Sequence, residues 1–453
     1  MSFMIAFSLA GVMLLLGVLL RAKIPFFRNM LVPSSVIAGV LGLIFMNVCI
    51  AAGINLGTDT GMFNTIVGQL FTVSFISISL TSAPKDETGG STGKNLLKGA
   101  VGMGLVWSLL YALTPLISYF IVAVTGKSVE MNPIYGTLIQ FAFCQGPGQS
   151  ATYGAIYESY GWANASTVAI FFASIGFVVA FVIGIPMAKM GIKKGIAKNC
   201  GAIDEAILKG YLRKDEQTEV MVKDTTCNSN IETLAFHFAL IGLCYLMAIG
   251  IGKLFSLIPG FLGTSMSAMM FINGMYAAYI VKFIMKKLNL DFLIENTLQS
   301  KITGWTADYL VVCAFMAVSL AVIRRWLFPI AVVAILMTGL TLVVCLYFGQ
   351  RMGGKNDFER TLAMYGMCTG TVPTGIALIR IIDPNFRTTT AVELGACNVV
   401  MLASTPVYLL LLGYAAGELN LNLVLGGLAG LVVIYMVLLR VTKTWGKKTY
   451  SWK

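Results

Sequence analysis

Long apolar runs separated by short polar stretches dominate this chain. Runs of roughly 17–25 apolar residues are long enough to cross a bilayer as helices. They fall near 4–20, 31–53, 62–82, 97–122, 164–190, 233–253, 260–282, 303–323, 327–349, 388–416 and 421–440. Two more apolar segments, 136–158 and 359–381, are broken in the middle by Gly, Pro and small polar residues. The breaks read Phe143-Cys-Gln-Gly-Pro-Gly-Gln-Ser-Ala-Thr152 and Gly366-Met-Cys-Thr-Gly-Thr-Val-Pro-Thr-Gly375. A helix interrupted there has main-chain N–H and C=O groups without partners, tolerable at membrane depth only inside protein or beside a watery cavity. These two segments are expected to be re-entrant hairpins.

The order of elements repeats. Five spans with a hairpin ahead of the fifth occupy 1–190, and four spans, a hairpin (359–381) and a fifth span occupy 233–416. Because five is odd, the second half must be inverted with respect to the first. The pattern predicts an all-α membrane protein of two inverted-topology repeats, each of five transmembrane helices and a re-entrant hairpin, the first hairpin at 136–158. The polar stretch 191–232 is expected to be a cytoplasmic connector, with a short helix around Ile203–Leu212. Residues 417–453 are expected to form one extra transmembrane helix and a basic tail. Broken helices in matching places of two halves point to a transporter's binding site.

Composition agrees with this picture. Hydrophobic residues make up 57% of the chain and charged residues 11%, far below the charge of an ordinary globular domain. The first twenty residues lack a basic start and a small-residue cleavage site, which argues for a retained first span. With the N-terminus placed outside, all but four of the 32 Lys and Arg residues fall on the cytoplasmic side; Lys127, Lys253, Arg324 and Arg325 fall outside. The net charge of +12 therefore sets topology and touches anionic lipid rather than nucleic acid. The nine cysteines show no metal-ligand spacing and read as small buried apolar residues.

The chemistry concentrates at the breaks. Candidate substrate-binding residues are Gln145, Gly146, Pro147, Gly148, Gln149, Ser150 and Thr152 in the first, and Thr369, Gly370, Thr371, Pro373 and Thr374 in the second. Helix N-termini at such tips favour an anion such as a carboxylate. Freed carbonyls and hydroxyls suit a hard cation such as Na⁺, with Cys368 and Val372 as candidate carbonyl donors. Glu393 is a charge inside a span, placed to bind a cation, carry a proton or pair with Arg380. Ser77, Ser79, Thr81 and Ser82 form a hydroxyl patch, and Ser77 and Ser79 are candidate ion-coupling residues. His237 reads as interfacial.

With these elements placed, the chain resembles the bacterial sodium:glutamate symporter family. The resemblance rests on Val32-Pro-Ser-Ser-Val-Ile-Ala-Gly39, Tyr160-Gly-Trp-Ala-Asn-Ala-Ser166, Arg351-Met-Gly-Gly-Lys-Asn-Asp357 and Thr371-Val-Pro-Thr-Gly-Ile-Ala377. It implies a Na⁺-driven importer of glutamate in the bacterial inner membrane, a homodimer, and an elevator whose mobile transport domain carries both hairpins against a scaffold. It implies no cofactor beyond the sodium ion and no enzymatic activity. The chain departs from the family in its first hairpin, which has no histidine, in Glu393, and in the extra C-terminal span. A carrier of another carboxylate or zwitterion, proton-coupled through Glu393, is the competing expectation. A membrane enzyme lacks a catalytic set here, and a channel lacks pore-lining rings.

Overall fold

Apolar runs in an apolar setting leave backbone groups no partners but their own, so the chain folds into helices. The computed structural model describes residues 2–29, 32–81, 91–197, 199–200, 224–227, 229–384 and 387–452, and among them there is no strand. The first half contains α1 (Ser2–Lys23), α2 (Pro25–Asn29), α3 (Ser34–Ala51), α4 (Thr60–Leu80) and α5 (Ser91–Thr125). It continues with α6 (Ile139–Phe143), α7 (Pro147–Ser159) and α8 (Ala165–Lys193). The second half opens with α9 (Thr233–Phe255), α10 (Phe261–Ala268), α11 (Met270–Lys287) and α12 (Asn296–Met316). There follow α13 (Leu320–Ile323), α14 (Leu327–Gly349), α15 (Asp357–Thr369), α16 (Val372–Ile382), α17 (Thr390–Val400), α18 (Thr405–Ala415) and α19 (Leu421–Val441). Among the described residues 8 helices are long and apolar enough to cross a membrane, or up to 10 if each bent pair is one span. The expected helix at 203–212 and Ser82 lie outside the described residues.

Two expected spans change. The span expected at 260–282 is bent by 69° between α10 and α11. Asn273 Nδ2 donates to the carbonyls of Met266 and Ser267 at this break, at 3.1 and 3.3 Å, satisfying acceptors that the interruption exposes. The span expected at 303–323 starts earlier and ends at Met316, because Glu295 caps it by accepting from Leu298 N–H. A hydropathy window passes over the polar first turns of such a helix. His237, near the start of α9, is buried within the protein. Its Nδ1 donates to the Thr233 carbonyl at 2.7 Å, and its Nε2 accepts from Glu295 N–H at 2.8 Å, tying α9 to the start of α12.

The chain divides into two compact units. The first comprises Met1–Gly17, Ala38–Lys85 and Leu212–Ala317; the second comprises Val18–Ile37, Asp86–Tyr211 and Val318–Lys453. In the first unit α4 packs against α12 and α11, around a core that includes Ile76, Leu80, Ile241, Ala277 and Ile302. Small residues permit this closeness, as apolar helices associate by fit rather than by expulsion of water. A Cβ on Gly274 would lie 2.7 Å from Ile76 Cγ1. The second unit contains α5–α8 and α14–α19, and hence both interrupted segments.

Candidate functional site

Each interruption folds as a helical hairpin. In the first, a 3₁₀ turn (Pro133–Leu138) and α6 lead to a break at Cys144–Gly146, and α7 leads away. Thr137 Oγ1 and Tyr157 OH, 3.2 Å apart, link the two arms. Gly146 has φ +76°, a conformation that favours glycine, and Pro147 opens α7 where its missing N–H costs nothing. In the second, α15 ends at Thr369 and α16 starts at Val372. Thr371 and Thr374 close a capping box over that start. A Cβ on Gly366 would lie 2.7 Å from the Gly375 Cα, so these arms touch backbone to backbone.

The two tips meet. A Cβ on Gly146 would fall 2.5 Å from Thr371 Cγ2 and 3.4 Å from the Gly370 carbonyl oxygen. Cys144 and Cys368, at matching places in the two segments, lie beside one another. The Thr369 carbonyl oxygen would be 2.5 Å from a Cβ on Gly176 of α8. Four helix ends thus converge: the positive ends of α7 and α16, and the negative ends of α6 and α15. One such cluster offers N–H donors to an anion and carbonyls to a cation without any charged side chain.

The sequence-derived candidates divide into those committed within the hairpins and those left open. Ser150 Oγ donates to the Gly146 carbonyl at 3.0 Å, Thr152 Oγ1 to that of Gly148 at 3.0 Å, and Thr369 Oγ1 to that of Tyr365 at 2.6 Å. Gln149 keeps a buried Oε1 without a partner. Ser77 and Ser79 belong to the other unit. Ser77 Oγ is engaged with the Gln299 carbonyl at 2.8 Å and with Gln299 Oε1 at 2.5 Å, whereas Ser79 Oγ is buried and unpartnered.

Glu393 pairs with a different arginine from the one expected. Arg360 Nε donates to Glu393 Oε2 at 2.7 Å, Nη2 to Oε1 at 2.8 Å, and Nη1 to Asp357 Oδ1 at 3.0 Å. Thr389 Oγ1 adds a bond to Glu393 Oε1 at 2.8 Å. Asp357 also accepts from Gly353 N–H, Gly354 N–H and Thr449 Oγ1. All three charged side chains are at most 4% exposed. Such a pair needs good geometry and satisfied lone pairs to persist when buried, and it has both.

The sequence signature of the sodium/glutamate symporter family matches residues 1–388. Sodium/glutamate symporters of Escherichia coli (strain K12) and Shigella flexneri are each 21% identical over 392 residues, covering 83% of this chain and 88% of theirs. The chain belongs to the sodium/glutamate symporter family. Its members are transporters, not enzymes. The matched region holds both hairpins and Arg360, while Glu393 and the C-terminal segment lie beyond it.

Two features escaped the sequence reading. An aromatic cage surrounds the first tip: Trp107 Nε1 donates to the Cys144 carbonyl at 2.8 Å, and Tyr111 OH donates to Gln145 Oε1 at 3.1 Å. Gln145 Nε2 donates to Tyr408 OH, and Tyr153 packs on Phe141 and Tyr408 with centroids 4.1 and 5.3 Å apart. The tail after α19 is the second feature, strapped across the base of the second hairpin. Gly446 N–H donates to the Arg351 carbonyl at 2.7 Å and Thr449 N–H to that of Gln350 at 2.8 Å. Tyr450 OH pairs with Thr361 Oγ1 at 2.7 Å, and burial pushes this phenol well above its ordinary pKa, so it stays neutral. The i, i+3 spacing of Asp357 and Arg360 was the available signal for the ionic part.

Proposed function

We propose that this chain imports glutamate or a related anionic amino acid with Na⁺, by alternating access. The observation that carries this reading is the meeting of the two interrupted tips within one compact unit. The carboxylate of an amino acid would face the N–H groups opening α7 and α16, with Gly146, Gly370, Thr371 and Thr374 framing it. Na⁺ would take carbonyls from the ends of α6 and α15, where Cys368 and Thr369 lie. Both relatives named above are sodium/glutamate symporters, which supports the choice of cargo and ion.

Since both hairpins ride on the second unit, that unit would be the moving part of an elevator and the first unit its scaffold. The order of elements supports two inverted repeats, and the distribution of Lys and Arg supports an external N-terminus and a cytoplasmic C-terminus. The family resemblance supports a homodimer. The arginine pair occupies both oxygens of Glu393, which disfavours a proton-carrying role for that carboxylate. Protein reconstituted in liposomes should accumulate labelled glutamate only under an inward Na⁺ gradient. Uptake indifferent to Na⁺, or absent across a panel of anionic amino acids, would sink the reading.

A further inference from the structure

Leu97, Lys98, Val101, Thr442, Lys443 and Thr444 line a groove of about 390 Å³. Lys98 stands near the start of the apolar part of α5 (Leu96–Thr125), and Lys443 just past the end of α19, itself apolar enough to span. Their sharing of one groove puts these helix ends at the same depth, where lipid headgroups lie if both helices span. Lys443 is held in the left-handed region at φ +57°, and Thr444 and Trp445 N–H fold back onto the Leu439 carbonyl at 3.1 and 3.0 Å. The turn carrying this lysine is therefore fixed before any ligand arrives.

Nearby cations are otherwise engaged: Arg440 lies 3.8 Å over the Trp445 ring and Arg351 3.9 Å over that of Tyr347. Among the described residues neither Lys98 nor Lys443 has a carboxylate partner. Two ammonium groups without a carboxylate partner among the described residues, beside aliphatic Leu97 and Val101, match a ligand that is anionic at one end and apolar at the other. We propose that this groove binds an anionic phospholipid, its phosphate between Lys98 and Lys443 and an acyl chain along Leu97 and Val101. The neighbouring Gly99 packs on the ion pair, since a Cβ there would lie 2.2 Å from Glu393 Oε2. A bound lipid would thus brace the base of the second hairpin.

The test is native mass spectrometry of the purified full chain with phosphatidylglycerol, phosphatidylcholine or inorganic phosphate. Phosphatidylglycerol should be retained selectively. Lys98→Gln with Lys443→Gln should weaken it about thirtyfold, each basic side chain near an anionic surface being worth about fivefold. The double Lys→Arg variant should retain it, and so should Lys447→Gln with Lys448→Gln. If the double Gln variant fails to fold, the exposed Lys443→Gln alone should give about a fivefold loss. Equal retention of phosphatidylcholine, an undiminished preference in the Gln variants, or full competition by inorganic phosphate would each overturn the assignment.

Discussion

Replacing Glu393 by Gln separates a structural charge from an ion-coupling one. In the native protein the guanidinium of Arg360 makes two bonds to Glu393 and one to Asp357, in surroundings from which water is almost excluded. Gln keeps one acceptor but turns an NH₂ group towards guanidinium donors, and Arg360 loses the charge of one of its two carboxylate partners. Removing one partner of a buried pair costs about 3–5 kcal/mol, a large share of a total stability of about 5–15 kcal/mol. At about 2.1 cal/mol/K of unfolding entropy per residue, a chain of 453 residues shifts by about 1 °C per kcal/mol, so the melting temperature in detergent should fall by roughly 3–5 °C. Arg360→Met should cost at least as much, because it strands two buried carboxylates. The double variant Arg360→Met with Glu393→Met should recover much of the loss, Asp357 retaining its bonds from Gly353, Gly354 and Thr449. Scanning fluorimetry on the purified variants reads all three values. Glu393→Gln melting with the native protein while losing its Na⁺ dependence would refute the structural assignment and return the carboxylate to the ion path.

Two other substitutions probe the tips and the strap. Gly146→Ala places a methyl at φ +76° and ψ −170°, a region essentially reserved for glycine, at about 1–3 kcal/mol, and against the Thr371 methyl. It should abolish substrate-induced thermal stabilisation while membrane insertion persists, and unchanged stabilisation would separate the tips from the site. Thr449→Val removes the donor to Asp357 Oδ2 and to the Gln350 carbonyl and should cost about 1–3 kcal/mol. Thr449→Ser should restore the loss, and a Val variant as stable as the native chain would show that the strap contributes nothing.

The hairpins were legible in the sequence because their signal is local. Gly146-Pro147 and Gly370-Thr371-Val-Pro373 favour a helix break by their local chemistry, and both breaks fall within the segments expected. The aromatic cage was not legible, because Trp107, Tyr111 and Tyr408 sit in apolar segments where an aromatic residue reads as lipid-facing bulk. What makes them specific is the convergence of two separate segments, α5 and α18, on the first tip. The Arg360–Glu393 pair was not legible, because the partners are 33 residues apart and spacing alone cannot show a pairing at that distance. The bend at Met269 was hidden for a related reason: no Gly or Pro stands at the break, and Asn273 satisfies the freed carbonyls from the following helix. Ser77 was legible as a polar residue inside a span, but its commitment to Gln299 depends on tertiary packing.

The contact of Gly366 with Gly375 has a mechanical consequence. With no side chain between them, the arms of the second hairpin have nothing that could compress or slide, and they form a stiff wedge. Any displacement imposed at its root would then reach the tip undamped. A larger residue at either glycine would pry the wedge apart.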